Sequence, residues 1–135
     1  MEIRLTPQES ETHFHNSLCN GYGFGGYGLE FSYTQKDYQT AKKSLESKMK
    51  SGEFKSDVIC REDVWMEILR IGGKLKVTDI ECDGEYTRTI KLKDVHERVQ
   101  KTPLRHLMDA VNENDDAYTA DAIMQTVFFE DIIFG

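Results

Sequence analysis

Cys19, Cys60 and Cys82, together with His13, His15, His96 and His106, are the residues best suited to nucleophilic or metal chemistry. Their spacing assembles little of it. His15 and Cys19 are four apart and share a helical face, whereas His13 and His15 do not. Two ligands fall short of the four that a structural zinc ion takes, so no metal or cofactor is expected. Three widely separated cysteines suit neither a disulfide framework nor a paired-thiolate site. A Cys–His pair could form in space from Cys19, Cys60 or Cys82 with His96 or His106, but none lies in a local catalytic signature. Asp79, Glu81, Asp83 and Glu85 alternate in a spacing that invites a hard-cation reading, without an EF-hand pattern. G-x-S-x-G, H-E-x-x-H and P-loop motifs are all missing, so the chain reads more readily as a non-enzyme than as a small Cys–His or carboxylate enzyme.

The segment Asn20-Gly21-Tyr22-Gly23-Phe24-Gly25-Gly26-Tyr27-Gly28 matches G-x-G-x-x-G twice. Dinucleotide binding needs that spacing between a strand and a following helix, where the helix N-terminus meets the pyrophosphate. Here a helix precedes and a strand follows, and no kinase signature accompanies the glycines. Two readings remain for Tyr22, Phe24 and Tyr27: an aromatic turn packed on the core, or a partner-binding loop.

The elements that must position these residues are well punctuated. Thr6-Pro7-Gln8-Glu9 forms a capping box and predicts a helix to about Asn20-Gly21, with a thin apolar face of Phe14 and Leu18 that suits the surface of the core. Thr34 opens a second helix, with Tyr38, Ala41, Leu45 and Met49 inward and Lys42, Lys43, Lys48 and Lys50 outward. A third spans about 58–71, buries Val64, Trp65, Ile68 and Leu69, and stops at Gly72-Gly73. From Lys74 to Lys93 the period becomes two around Asp83-Gly84. A two-residue loop there pairs Val77 with Ile90, Leu75 with Leu92, and Asp79 with Arg88 as an ion pair. Asp94 with Glu97 starts a short helix. Thr102-Pro103 starts another, with Leu104, Leu107, Met108 and Val111 as its stripe, and a last helix covers about 117–130. With 28–33 as a third strand, the fold class is α+β: five to six helices on a small, largely antiparallel sheet that includes a 74–92 hairpin.

Length and composition frame this reading. The 135 residues suit one globular domain, 1–135, that buries about two thirds of its unfolded surface. Hydrophobic residues make up 39 %, too many for disorder. The start Met-Glu-Ile-Arg-Leu lacks a signal-peptide pattern and no apolar run reaches membrane-spanning length, which places the protein in the cytoplasm, off the membrane. All 17 Lys and Arg and 17 of the 24 carboxylates lie in residues 1–108, so the net charge of −7 belongs to the last 27 residues. Direct nucleic-acid binding is therefore not expected, since it draws affinity from cations on phosphates. Asp109, Glu113, Asp115, Asp116 and Asp121 could instead imitate phosphates and inhibit a DNA-acting enzyme, provided that one surface exposes them all. Phe129, Ile132 and Phe134 exceed one helical stripe, so the tail either docks on the core or forms a binding patch.

The ending Asp121-x-Ile123-x-Gln125-x-x-Phe128-Phe129-x-x-Ile132-x-Phe134-Gly135, with Gly72-Gly73-x-Leu75 and Asp79 upstream, resembles a loose set of small proteins of bacteriophages, prophages and conjugative elements of gut-type bacteria. Thr126-Val127 departs from the small or Leu-rich residues common there. The resemblance spans about residues 72–135 and implies a mobile-element origin, with no activity and no catalytic residues. The expectation is a non-enzymatic accessory or regulatory protein that binds another, unidentified protein, with homodimerisation left open.

Overall fold

The computed structural model describes residues 2–20, 23–114 and 116–135. Its helices are α1 (Pro7–Asn20), the single turn α2 (Gly23–Gly26), α3 (Gln35–Ser51), α4 (Arg61–Arg70), α5 (Leu92–Arg98), α6 (Leu104–Val111) and α7 (Ala117–Phe129), with a 3₁₀ turn at Val99–Lys101. The strands β1 (Leu29–Ser32), β2 (Leu75–Asp79) and β3 (Arg88–Ile90) form an antiparallel sheet in the order β1-β2-β3. Six helices of seven residues or more on a three-stranded sheet make the fold α+β. Leu29, Leu75, Val77 and Ile90 face the helices in one continuous core, while Glu30, Lys76 and Thr89 face water. Among the described residues, no helix is long and apolar enough to cross a membrane.

The punctuation works as its chemistry requires. Thr6 Oγ1 accepts from Glu9 N at 3.1 Å and Glu9 Oε1 from Thr6 N at 2.9 Å, closing the capping box. Thr34 accepts from Asp37 N at the start of α3. Other expectations are extended or corrected. On the surface of the core, α1 runs along α7, and its buried stripe of Phe14 and Leu18 is widened by Ser10 and Ser17. Ser17 donates to the His13 carbonyl four residues back, so a serine can serve as a small core residue. The third helix begins at Arg61, where the Asp63 carboxylate accepts from Cys60 N. Likewise, α5 begins at Leu92 because Asp94 accepts from Lys91 N and so sits inside the first turn. Only Leu107 of the α6 stripe is buried; Leu104, Met108 and Val111 are 40 to 44 % exposed.

The hairpin is shifted by two residues. Leu75 lies opposite Ile90, and Val77 opposite Arg88. A shift of two preserves the faces, which is why the hydrophobic pattern did not expose it. Asp79 sets the register. Its Oδ1 accepts from Glu81 N and Cys82 N (3.0 and 2.8 Å) and its Oδ2 from Tyr86 N (3.1 Å), ending the strand in a side-chain-organised loop. These bonds, the one from Cys82 foremost, hold the Asp79 carboxyl below its ordinary range. Asp83 and Gly84 still form the tip, both at positive φ. The expected Asp79–Arg88 ion pair is not formed. Arg88 donates to the Glu85 and Thr87 carbonyls and lies 5.7 Å from the Phe129 ring centroid.

An ionic chain stitches the helices together. Glu67 is fully buried on α4 and takes Lys48 Nζ at 2.7 Å and Ser44 Oγ at 2.6 Å from α3. Arg70 reaches Glu67 at 3.4 Å and Glu11 of α1 at 2.9 Å, and Glu11 meets His96 of α5 at 2.9 Å. Burial pushes the Glu67 carboxyl up, yet the bonds from Lys48 and Ser44 outweigh it and hold the group below its ordinary range. Lys48, expected among the solvated lysines, is therefore the counter-ion that permits a buried carboxylate.

Candidate binding groove beside strand β1

An aromatic ladder crosses the molecule and ends at the surface. Phe24 stacks on Phe31 with centroids 5.7 Å apart, Phe31 on Trp65 at 4.9 Å, and Tyr33 on Tyr38 at 5.1 Å. In the other direction Phe24 meets Phe128 at 5.8 Å and Phe129 at 6.1 Å, and Phe134 stacks on Tyr27 at 4.6 Å. Positions 29, 31 and 33 share one face of β1, which delivers Phe31 and Tyr33 to Trp65 on α4. Gly28 makes the entry into β1 feasible: its φ is +74°, and a Cβ there would lie 2.5 Å from Glu81 Cδ.

Between β1 and the facing ends of α1 and α4 lies an open groove of about 680 Å³. Leu29, Glu30, Phe31 and Tyr33 form one wall; Trp65, Arg61 and Glu62 form the other, with Cys19 at the end of α1. Arg61 lies over the Trp65 ring at 5.2 Å and contacts Glu62 at 3.2 Å. The indole Nε1 of Trp65 is buried and has no hydrogen-bond partner among the described residues. Such an orphaned donor is costly unless an acceptor reaches it.

The residues singled out in sequence divide. Phe24 is only 2 % exposed and belongs to the ladder, while half-buried Tyr27 donates to Asp121 Oδ2 at 3.0 Å. Burial and this bond both raise the Tyr27 phenol. These two residues pack on the core as a turn; Tyr22 lies outside the described residues. The tail is docked as well. Gln125, fully buried, accepts from Ile133 N and Phe134 N at 2.8 Å each and donates to the Phe134 carbonyl at 3.1 Å. Phe129 and Phe134 are half-buried in the ladder, and Ile132 is exposed.

The charged and thiol constellations do not assemble. Asp109, Glu113 and Asp116 are exposed, but Asp121 is drawn inward by Tyr27 and by Gln125 Nε2 at 2.8 Å, and Asp115 lies outside the described residues. Asp116 is the α7 cap, accepting from Thr119 N. His15 faces Asp63 at 2.8 Å, and no described histidine hydrogen-bonds a cysteine. Burial first, and then neighbouring carboxylates, raise the thiols of Cys19 and Cys82, the opposite of nucleophile activation. Among the described residues, no three His, Cys, Asp or Glu side chains come together to hold a metal. Sequence reasoning placed Trp65 in the core and did not mark Phe31, Tyr33 or Arg61; only the alternation in 29–33 hinted at their shared face. No family model, curated protein or solved structure matches the chain.

Proposed function

We propose that this protein is a non-enzymatic accessory module of the cytoplasm that works by binding another protein, with the groove beside β1 as its contact surface. One observation carries the reading: an open groove lined by Trp65, Phe31, Tyr33 and Arg61 that runs beside β1, an edge strand of the sheet. Trp, Tyr and Arg are the residue types that anchor protein interfaces, because they bring large rigid area with a polar handle. Three free, exposed cysteines suit a reducing compartment. The resemblance of residues 72–135 to mobile-element proteins supports an accessory role.

Site-specific photo-crosslinking tests the proposal. A benzophenone side chain at Tyr33 is expected to capture a discrete protein in the lysate of the producing cell, and the same group at Lys43, on the outer face of α3, is not. Capture at Tyr33 is expected to vanish with Arg61→Glu. Equal labelling at both positions, or none at Tyr33, would overturn the reading.

A further inference from the structure

The groove is bounded by a free sheet edge, and that edge has a readable hydrogen-bonding pattern. Ile80 N donates to the Gly28 carbonyl at 2.9 Å, which makes Gly28 and Ile80 a hydrogen-bonded pair at the mouth of the β1–β2 ladder. Antiparallel ladders alternate, so Glu30 opposite Thr78 and Ser32 opposite Lys76 also turn their backbone groups toward β2. Leu29, Phe31 and Tyr33 therefore turn theirs away from the sheet. None of these outward groups is hydrogen-bonded among the described residues. The groove is lined by the consecutive residues Leu29, Glu30 and Phe31 and by Tyr33, so it follows this strand along its length.

The two edges of the sheet are protected differently. β3 has three residues, begins with Arg88 and is followed by Lys91. Such cations discourage pairing with another strand. β1, Leu-Glu-Phe-Ser, carries neither Pro nor Lys. From these observations we infer that the groove receives an extended segment of a partner protein, which adds to β1 as a fourth strand. This rests on the protein-binding reading above and names the kind of partner.

The side chains define that segment further. On the helix-facing side, half-buried Phe31 and the edge of Trp65 offer apolar area. On the opposite side the neighbour is the Glu30 carboxylate, and Arg61 is already engaged by Glu62 and the indole. Among the residues that line the groove, Glu30 and Glu62 outnumber Arg61, so the charge there is negative, with Lys76 on the same sheet face but outside the lining. The segment alternates apolar or aromatic residues on one face with Lys or Arg on the other, because period-two alternation is how an added strand presents its side chains.

Nonamer peptides selected from a random phage-displayed library against the whole protein provide the probe. Selection is expected to enrich alternating apolar and basic residues, and Glu30→Lys is expected to abolish the basic preference. N-methylation of the peptide at the alternate residues that face β1 is expected to weaken binding about tenfold per position, the loss of one backbone hydrogen bond, while the intervening positions tolerate it. Hydrogen exchange is expected to slow at Leu29, Phe31 and Tyr33 on binding, and to stay unchanged on α6. If every N-methyl position is tolerated, strand addition is wrong while a side-chain-docked partner survives. If protection falls on the Leu104, Met108 and Val111 face instead, the assigned site is wrong. Protection of β1 that grows with protein concentration without peptide would make a second copy the occupant and overturn the inference. If no peptide is selected and Tyr33 captures nothing, the protein-binding reading falls with it.

Discussion

The aromatic ladder is finished at one end and open at the other. At the C-terminal end, Phe134 lies on Tyr27, and Gln125 satisfies the tail's amides with its own oxygen. At the β1 end, Trp65 and Phe31 also stack, but the indole N–H and the strand's outward backbone have no partner among the described residues. Both ends are built of stacked aromatic rings, and each holds one buried polar atom without a partner among the described residues, Asp121 Oδ1 at the tail and Trp65 Nε1 at β1. The backbone separates them: Gln125 ties down the tail amides, whereas the outer edge of β1 has no such partner, and on the reading proposed above that edge takes a second molecule.

Four experiments break or sharpen that contrast. Phe128→Ala removes a buried ring that meets both Phe14 and Phe24 and is expected to cost about 3 to 5 kcal/mol in urea unfolding, loosening both ends together. Gln125→Leu strands the tail amides and Tyr27's partner Asp121, with an expected loss of about 1 to 3 kcal/mol. Hydrogen exchange should then quicken at Ile133 and Phe134 and leave Leu29–Ser32 unchanged; quickening at both would show that the ends are not independent.

Acid probes the helices beneath the groove. The Glu67 and Glu11 carboxyls sit below their ordinary range in the folded state: burial raises each, but the bonds from Lys48 and Ser44, and from His96 and Arg70, outweigh it. The unfolded state thus takes up protons first. The stabilisation is complete above the unfolded glutamate range and is lost as pH falls through the lower folded values. Glu67→Gln is expected to flatten the fall of unfolding free energy between neutral and acidic buffer; an unchanged slope would remove Glu67 from the account. The smallest expected effect is at Trp65. Replacing its indole by benzothiophene, which exchanges the N–H for sulfur at nearly constant shape, should change stability by only about 0.5 kcal/mol, because no intramolecular bond is lost. Selected peptides are expected to bind this variant with unchanged affinity, because the buried N–H is not reached from the groove, and a several-fold loss would show that binding opens a path to it.

Local chemistry was legible wherever it was self-contained. The Thr6–Glu9 box, the Thr34 cap, the Asp83-Gly84 tip and the three strands follow from side chains that satisfy backbone groups a few residues away, or from a period that repeats along the strand. The hairpin register was not legible, because a two-residue shift leaves every side chain on its face and only the three amides gathered by Asp79 choose between the alternatives. The full width of the α1 stripe was hidden by its buried serines, and the partner of Lys48 by its distance in sequence from Glu67. The charge of −7, the α+β class and the lack of an enzyme signature belong to the sequence alone, since composition and local pattern need no partner residue. That Trp65, Phe31, Tyr33 and Arg61 form one groove beside an edge strand was decided by tertiary structure: residues some thirty positions apart meet only when the sheet and α4 pack, and an orphaned N–H exists only once its neighbours are in place.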